Sequence, residues 1–281
     1  MAFPTLASMA ISAALLYLSV VPGTSAQESI RPAYTPDFVA QMLDYVSRDY
    51  ALAVSPNGKV IDEDEYVEQL VVSGSALEVS DQVTAISSQP AIRKDIARLI
   101  ELIKEKAQPE AIKKQALKAR DAIYVAAGTT TAPRNWPSLA QGKQVFTAHC
   151  ASCHGATGNG LGVAAQTLAS KPMNFLDSTR MASMSPLSVF TSVKLGVQNT
   201  AMPRFSALSD DELWAVSFYV LSLRPRMALP VAARLDRTAA DLWLKAAATL
   251  PDEELMHALP GSSNERLKSL ALLRSHSEDR N

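Results

Sequence analysis

Five consecutive residues, Cys150-Ala151-Ser152-Cys153-His154, contain both cysteines of this 281-residue chain and one of its 4 histidines. On a helix the two thiols stand about one turn apart. At that spacing both can add to the vinyl groups of one haem while the imidazole that follows reaches the iron. Covalent attachment of this kind keeps a cofactor in place where its pocket is small and partly open. Two other chemistries use a Cys-x-x-Cys pair. A zinc ribbon needs a second pair of ligands, and His149, His257 and His276 are not placed to supply one. A thioredoxin-like redox pair needs a βαβ setting, and no convincing alternating strand pattern is present. Covalent haem is the chemistry that the motif and its context favour.

That context is an exported protein. Residues 1–27 carry no charged side chain, and the apolar run through Ala13, Leu15, Leu16, Leu18 and Val21 is broken by Pro22-Gly23 before the small residues Thr24-Ser25-Ala26. The pattern predicts a signal peptide over residues 1–26, although no Lys or Arg precedes the apolar run. The break makes the run too short for a comfortable membrane span, and no later segment is apolar enough for one. The mature chain is therefore expected to be soluble in the periplasm, without an integral membrane span. A composition of 47% hydrophobic and 20% charged residues with a net charge of −1 excludes a polycationic nucleic-acid binder and a disordered acidic tail.

The elements that must position the motif read as helices throughout. Charge divides the mature chain into residues 27–137 at −3, 138–225 at +2 and 226–281 at 0. Gly128-Thr129-Thr130-Thr131-Ala132-Pro133, Trp136-Pro137 and Arg224-Pro225 mark the joints. In the first block Phe38, Met42, Leu43 and Val46 fall at helical spacing, and Pro56-Asn57-Gly58 turns the chain. A second helix is expected from the acidic run Asp62-Glu63-Asp64-Glu65 through Tyr66, Leu70 and Val71. Ile92, Ile96, Leu99, Ile100 and Ile103 make a third stripe, and Ala111 to Ala126 a fourth. The acidic run suits the positive end of a helix dipole better than it demands a metal ion. The expected fold is all-α: a helical bundle, a central haem domain and a C-terminal helical extension.

The central block carries more than the haem motif. Gly142 and Phe146 precede Cys150 at Gly-x-x-x-Phe spacing, Trp214 and Tyr219 lie on a last helix from Asp210 to Leu223, and Ser209-Asp210-Asp211-Glu212 is a capping box for that helix. With these residues, 138–225 resembles a class I c-type cytochrome domain, in which the two terminal helices cross at the small glycine. The resemblance implies one covalently attached haem c on Cys150 and Cys153, with His154 as the proximal axial ligand of the iron. Met202, 48 residues after His154 in Thr200-Ala201-Met202-Pro203-Arg204-Phe205, resembles the Met-Pro loop that supplies the sixth ligand. A thioether favours the ferrous state, so His/Met ligation raises the reduction potential. Met173, Met181 and Met184 are rivals assigned to packing. Lys171-Pro172-Met173-Asn174-Phe175 resembles the segment that lies over the haem, and His149 is expected at the surface. Lys143, Lys171, Lys194 and Arg204 are candidates for orienting an acidic redox partner protein, with scattered solvation as the alternative.

The flanking blocks carry a second resemblance. Tyr45, Asp49-Tyr50, Val54, Gly58-Lys59-Val60 and Glu65-Tyr66-Val67-Glu68, with Leu250-Pro251-Asp252-Glu253-Glu254-Leu255 and Leu259-Pro260-Gly261, resemble the extracytoplasmic part of bacterial cytochrome c/iron permease (Ftr-type) fusion proteins. In that family, membrane helices carry an Arg-Glu-x-x-Glu iron motif, and this chain has no Arg-Glu dipeptide. The resemblance implies an electron-transfer protein, not an enzyme, that serves ferrous iron uptake through a partner iron permease. The alternatives are a carrier for a terminal oxidase or dehydrogenase, a haem peroxidase or gas sensor if the sixth position is open, and a metal-binding or permease-docking role for the first block.

Overall fold

A threonine hydroxyl starts the first helix. Thr35 accepts the Phe38 N–H, Pro36 sets the first-turn dihedral, and α1 then runs over Pro36–Ala53. It buries Val39, Leu43, Val46 and Tyr50 on one side. In the computed structural model, which describes residues 34–197, 200–224 and 237–275, these residues pack as one compact unit. The expected leader, residues 1–26, and the Pro225 joint lie outside the described residues.

The turn at Pro56-Asn57-Gly58 closes through a single bridge between Val54 and Val60. The acidic run then begins α2 (Glu63–Ser80). Asp62 is its cap, accepting the N–H groups of Asp64 and Glu65, which accounts for the run without a metal ion. A short α3 (Thr84–Ser87), not foreseen from the periodicity, leads to α4 (Pro90–Lys104) and α5 (Pro109–Ala127), each entered through proline. The α4 isoleucine stripe and Leu99 share one core with Ile112, Ala116, Ala119 and Ile123 of α5. Inside the bundle Asp44 accepts from Arg120 at 2.7 Å and pairs with Arg48 at 3.2 Å. Burial alone would raise the Asp44 carboxyl, but the two guanidiniums, with a hydrogen bond from Ser188, hold it below the ordinary carboxylate value.

The central group is built from α6 (Leu139–Val145), a π-helical turn over Phe146–Cys150, α7 (Ala151–His154), a 3₁₀ turn at Val163–Thr167, α8 (Ser178–Met181), α9 (Pro186–Leu195) and α10 (Asp210–Leu223). The capping box forms as the sequence predicts: Ser209 accepts the Glu212 N–H, and the Glu212 carboxylate accepts the Ser209 N–H. α6 and α10 cross at Gly142, where a Cβ would stand 2.2 Å from the Ala215 carbonyl oxygen, so only glycine fits. Phe190 of α9 stacks on Trp214 of α10 at 4.3 Å.

The chain closes with α11 (Arg237–Thr249), α12 (Asp252–Ala258) and α13 (Ser263–Ser275). Arg274 is buried and donates to Asp252 at 2.8 Å and to the carbonyls of Ala247 and Leu250. Asp252 also pairs with Arg224 at the end of α10, tying the last helices to the central group. Among the described residues there is no strand, and no helix is long and apolar enough to cross a membrane. The all-α expectation holds.

Candidate functional site

Cys150, Cys153 and His154 lie on one short helical stretch held from both sides. Phe146, buried at the start of the π turn, packs on Tyr219 at 5.5 Å and on Phe175 at 6.2 Å, so the α6–α10 crossing fixes the approach to the motif. After His154 the chain reverses through the 155–162 loop, whose amides reach back: Gly160 N–H donates to the His154 carbonyl at 2.7 Å and Gly162 N–H to the Cys153 carbonyl at 3.0 Å. The two cysteines are not joined in a disulfide. Burial, with the neighbouring Cys153, pushes the Cys150 thiol up to about 11.

The His154 ring is oriented by two contacts. It stacks on Phe175 at 4.6 Å with 17° between planes, and Nδ1 meets the Met173 carbonyl oxygen at 3.1 Å. A carbonyl can only accept, so Nδ1 carries the proton and Nε2 keeps its lone pair for a metal. Burial lowers the imidazole pKa against the opposing pull of that hydrogen bond, which favours the neutral form a ligand needs. The donor set, two cysteines outside any disulfide and a neutral imidazole with one nitrogen occupied, fits a covalently attached haem. The Lys171-to-Phe175 segment thus contributes through the Met173 backbone, a role that residue types alone do not disclose.

Met202 is half-buried on a separate segment. Its N–H donates to Thr200 Oγ1 at 3.1 Å, and its carbonyl accepts from the Val197 N–H at 3.2 Å. Three residues on, Phe205 lies 6.2 Å from the ring of His149, which sits at the surface as expected, and this brings the Met202 segment alongside the motif. Of the rival methionines, Met181 and Met184 are buried, and the Met184 sulfur accepts from Arg48 at 2.9 Å, while Met173 is half-buried with its carbonyl against His154. Of the basic residues considered for partner docking, Lys171 is spent on the carbonyls of Ala165 and Gln166, and Lys194 pairs with Asp210 at 3.5 Å. Lys143 and Arg204 remain exposed.

The cytochrome c family profile matches residues 139–224, the whole central group. Cytochrome c6 of Cyanidioschyzon merolae (strain NIES-3377 / 10D) is 39% identical over 84 residues, which span 30% of this chain and 73% of that protein. Cytochrome c6 of Cyanidium caldarium is 38% identical over 85 residues, 30% of this chain and 71% of that protein. A chain of the Kuenenia stuttgartiensis reducing HAO-like protein complex is 25% identical over 38% of this chain and 60% of its own, with a TM-score of 0.31, a local likeness. The helix crossing at Gly142, the oriented His154 and this match over residues 139–224 lead to one conclusion: the chain belongs to the cytochrome c family, carriers of electrons on covalently attached haem c.

Proposed function

We propose that Cys150 and Cys153 hold haem c through two thioether bonds, that His154 and Met202 are its axial ligands, and that the protein carries electrons away from ferrous iron as it enters a partner permease. Its place is the periplasm, reached behind a leader of residues 1–26. The observation that carries the ligand set is the hydrogen bond from His154 Nδ1 to the Met173 carbonyl, which leaves Nε2 as the donor atom. Bound haem c supplies a one-electron site, its iron alternating between ferric and ferrous. The chain's own residues set the terms of that exchange. His154 donates a neutral nitrogen kept in one tautomer, Met202 offers a soft thioether that favours the ferrous state, and Phe175, itself packed on Phe146, stacks on the imidazole and holds its orientation.

The iron-uptake reading rests on the resemblance carried by the first and last blocks. Oxidation of one Fe²⁺ to Fe³⁺ releases one electron, this cytochrome accepts it, and a redox partner protein removes it. Of the residues that carry this resemblance, Asp49, Glu65 and Glu68 share one electrostatic neighbourhood with Arg180 of α8, whereas Tyr50 and Tyr66 donate to the Ala107 and Ile103 carbonyls within the first helical group. Deleting the gene and following radiolabelled ferrous iron tests this: uptake under iron limitation falls if the cytochrome is the acceptor. Unaltered uptake would leave a carrier serving other donors. Carbon monoxide binding to the reduced protein at neutral pH would contradict a bound thioether and favour a peroxidase or gas sensor.

A further inference from the structure

The first helical group makes a contact at the far end of the central group that a merely tethered neighbour would not need. The Gln41 side-chain amide of α1 donates from Nε2 to the Gly196 carbonyl at 2.8 Å, across 155 positions of sequence. Gly196 ends α9 with φ 75° and ψ −179°, and a Cβ there would meet the Met202 carbonyl oxygen and the Arg204 nitrogen at 2.9 Å. A side chain is excluded both by the backbone angle and by the Met202-Pro203-Arg204 backbone lying against it. The Gly196 carbonyl and the Val197 N–H belong to one planar peptide unit. On one side that unit accepts from Gln41, and on the other it donates to the Met202 carbonyl at 3.2 Å. Gln41 is therefore linked to the Met202 backbone through a single rigid group, and the two hydrogen bonds in series polarise each other.

The platform behind Gln41 is itself fixed. One turn along α1, Asp44 is held by Arg120 and Arg48 and accepts from Ser188 of α9, while Arg48 donates to Met184. From α5, Tyr124 accepts from Thr191 of α9. The bundle thus anchors the body of α9, and Gln41 reaches past it to the glycine where the Met202 segment departs.

We propose that Gln41 is a positioning residue for Met202: its amide holds the Gly196–Val197 peptide in place and resists the opening that would separate the thioether from the haem iron. This rests on the reading of Met202 as the sixth ligand. A net intramolecular hydrogen bond is worth about 0.5–1.5 kcal/mol, so its loss should raise the open fraction about two- to tenfold.

The test uses the ferric holoprotein, with imidazole as competing ligand and the long-wavelength methionine-to-iron charge-transfer band as readout. Q41L removes the donor, and Q41E keeps the side-chain shape while replacing the amide by an acceptor. Both are expected to bind imidazole about two- to tenfold more tightly than the unaltered protein. S188A, which cuts a docking bond without touching Gly196, is expected to bind it as the unaltered protein does. Wild-type imidazole affinity in both Gln41 variants would overturn the proposal, and an equal gain in S188A would overturn the assignment to Gln41 by making it a property of docking as a whole. If the unaltered protein lacks the band, or Met202→Ala retains it, the ligand reading itself fails and Gln41 has nothing to position.

Discussion

Gly142→Ala adds one methyl group where two helices touch. The new Cβ would lie 2.2 Å from the Ala215 carbonyl oxygen, 2.7 Å from its carbon and 2.7 Å from the Tyr219 Cβ. None of these atoms is the free end of a flexible side chain, so relief requires α6 and α10 to separate by about 1 Å, the shortfall from ordinary van der Waals contact. Overpacking of this kind costs about 1–3 kcal/mol, and a contact made with backbone belongs at the upper end. Alanine in place of glycine within a helix returns about 1 kcal/mol. The net loss is about 2 kcal/mol, a fall in Tm of about 4–8 °C for a chain of this size. The shift should appear in thermal unfolding of the holoprotein followed by far-UV circular dichroism. It should come with altered absorption of the haem, because the same crossing places Phe146 and the approach to Cys150. A Tm equal to or above that of the unaltered protein would mean that helix propensity outweighs the contact, and would refute the crossing as the feature that holds the motif.

Asp252→Asn should lower stability by about 3–5 kcal/mol in chemical denaturation, because it strips the carboxylate from the buried guanidiniums of Arg224 and Arg274. Arg274→Met, which takes a donor from Asp252 and from the carbonyls of Ala247 and Leu250, should also destabilise the protein. Asp49 offers a pH test of opposite sign. Burial, with Asp44 and Glu68 nearby, raises its carboxyl above 3.8 despite Arg48 and Arg180. The folded state thus binds this proton more tightly than the unfolded chain, and the site's contribution is greatest below pH 3.8 and falls as pH rises through the folded value. Asp49→Asn should therefore stabilise the protein at neutral pH and lose that advantage in acid, as read from Tm across pH. Asp44 behaves conversely: its depressed carboxyl contributes fully above 3.8 and loses that contribution only as pH falls below it, so Asp44→Asn should destabilise at pH 7.

Local signals in the sequence were legible, and long-range pairings were not. Ser209 and Glu212 form their capping box because both partners lie within one turn, and the α1, α4 and α5 stripes follow from a periodicity that burial enforces, whereas in α2 Val71 lies exposed and the buried side includes Gln69, Ser73 and Ser80. The glycine at 142 is readable because its neighbours Phe146 and Cys150 fix its register on the same helical segment. The π turn at Phe146–Cys150 has no residue signature, since it arises from how α6 must arrive against α10. The proton position on His154 depends on a backbone carbonyl 19 residues away, which no residue type encodes. Gln41 with Gly196, and Arg274 with Asp252, join separate segments. A glutamine on a helix face and an arginine near the C-terminus both read as solvated until the fold brings their acceptors to them. The lysines considered for partner docking show the same limit, because Lys171 and Lys194 are claimed by acceptors within their own domain.

The most direct test of the whole account is mass spectrometry of proteolytic fragments from holoprotein produced with cytochrome c maturation machinery, combined with extraction into acidified acetone. The account predicts that the pigment stays with the protein and that the fragment spanning Cys150 to His154 carries one haem, with neither thiol free to alkylate. Pigment released into the acetone, or a fragment with both cysteines alkylated and no added mass, would contradict it.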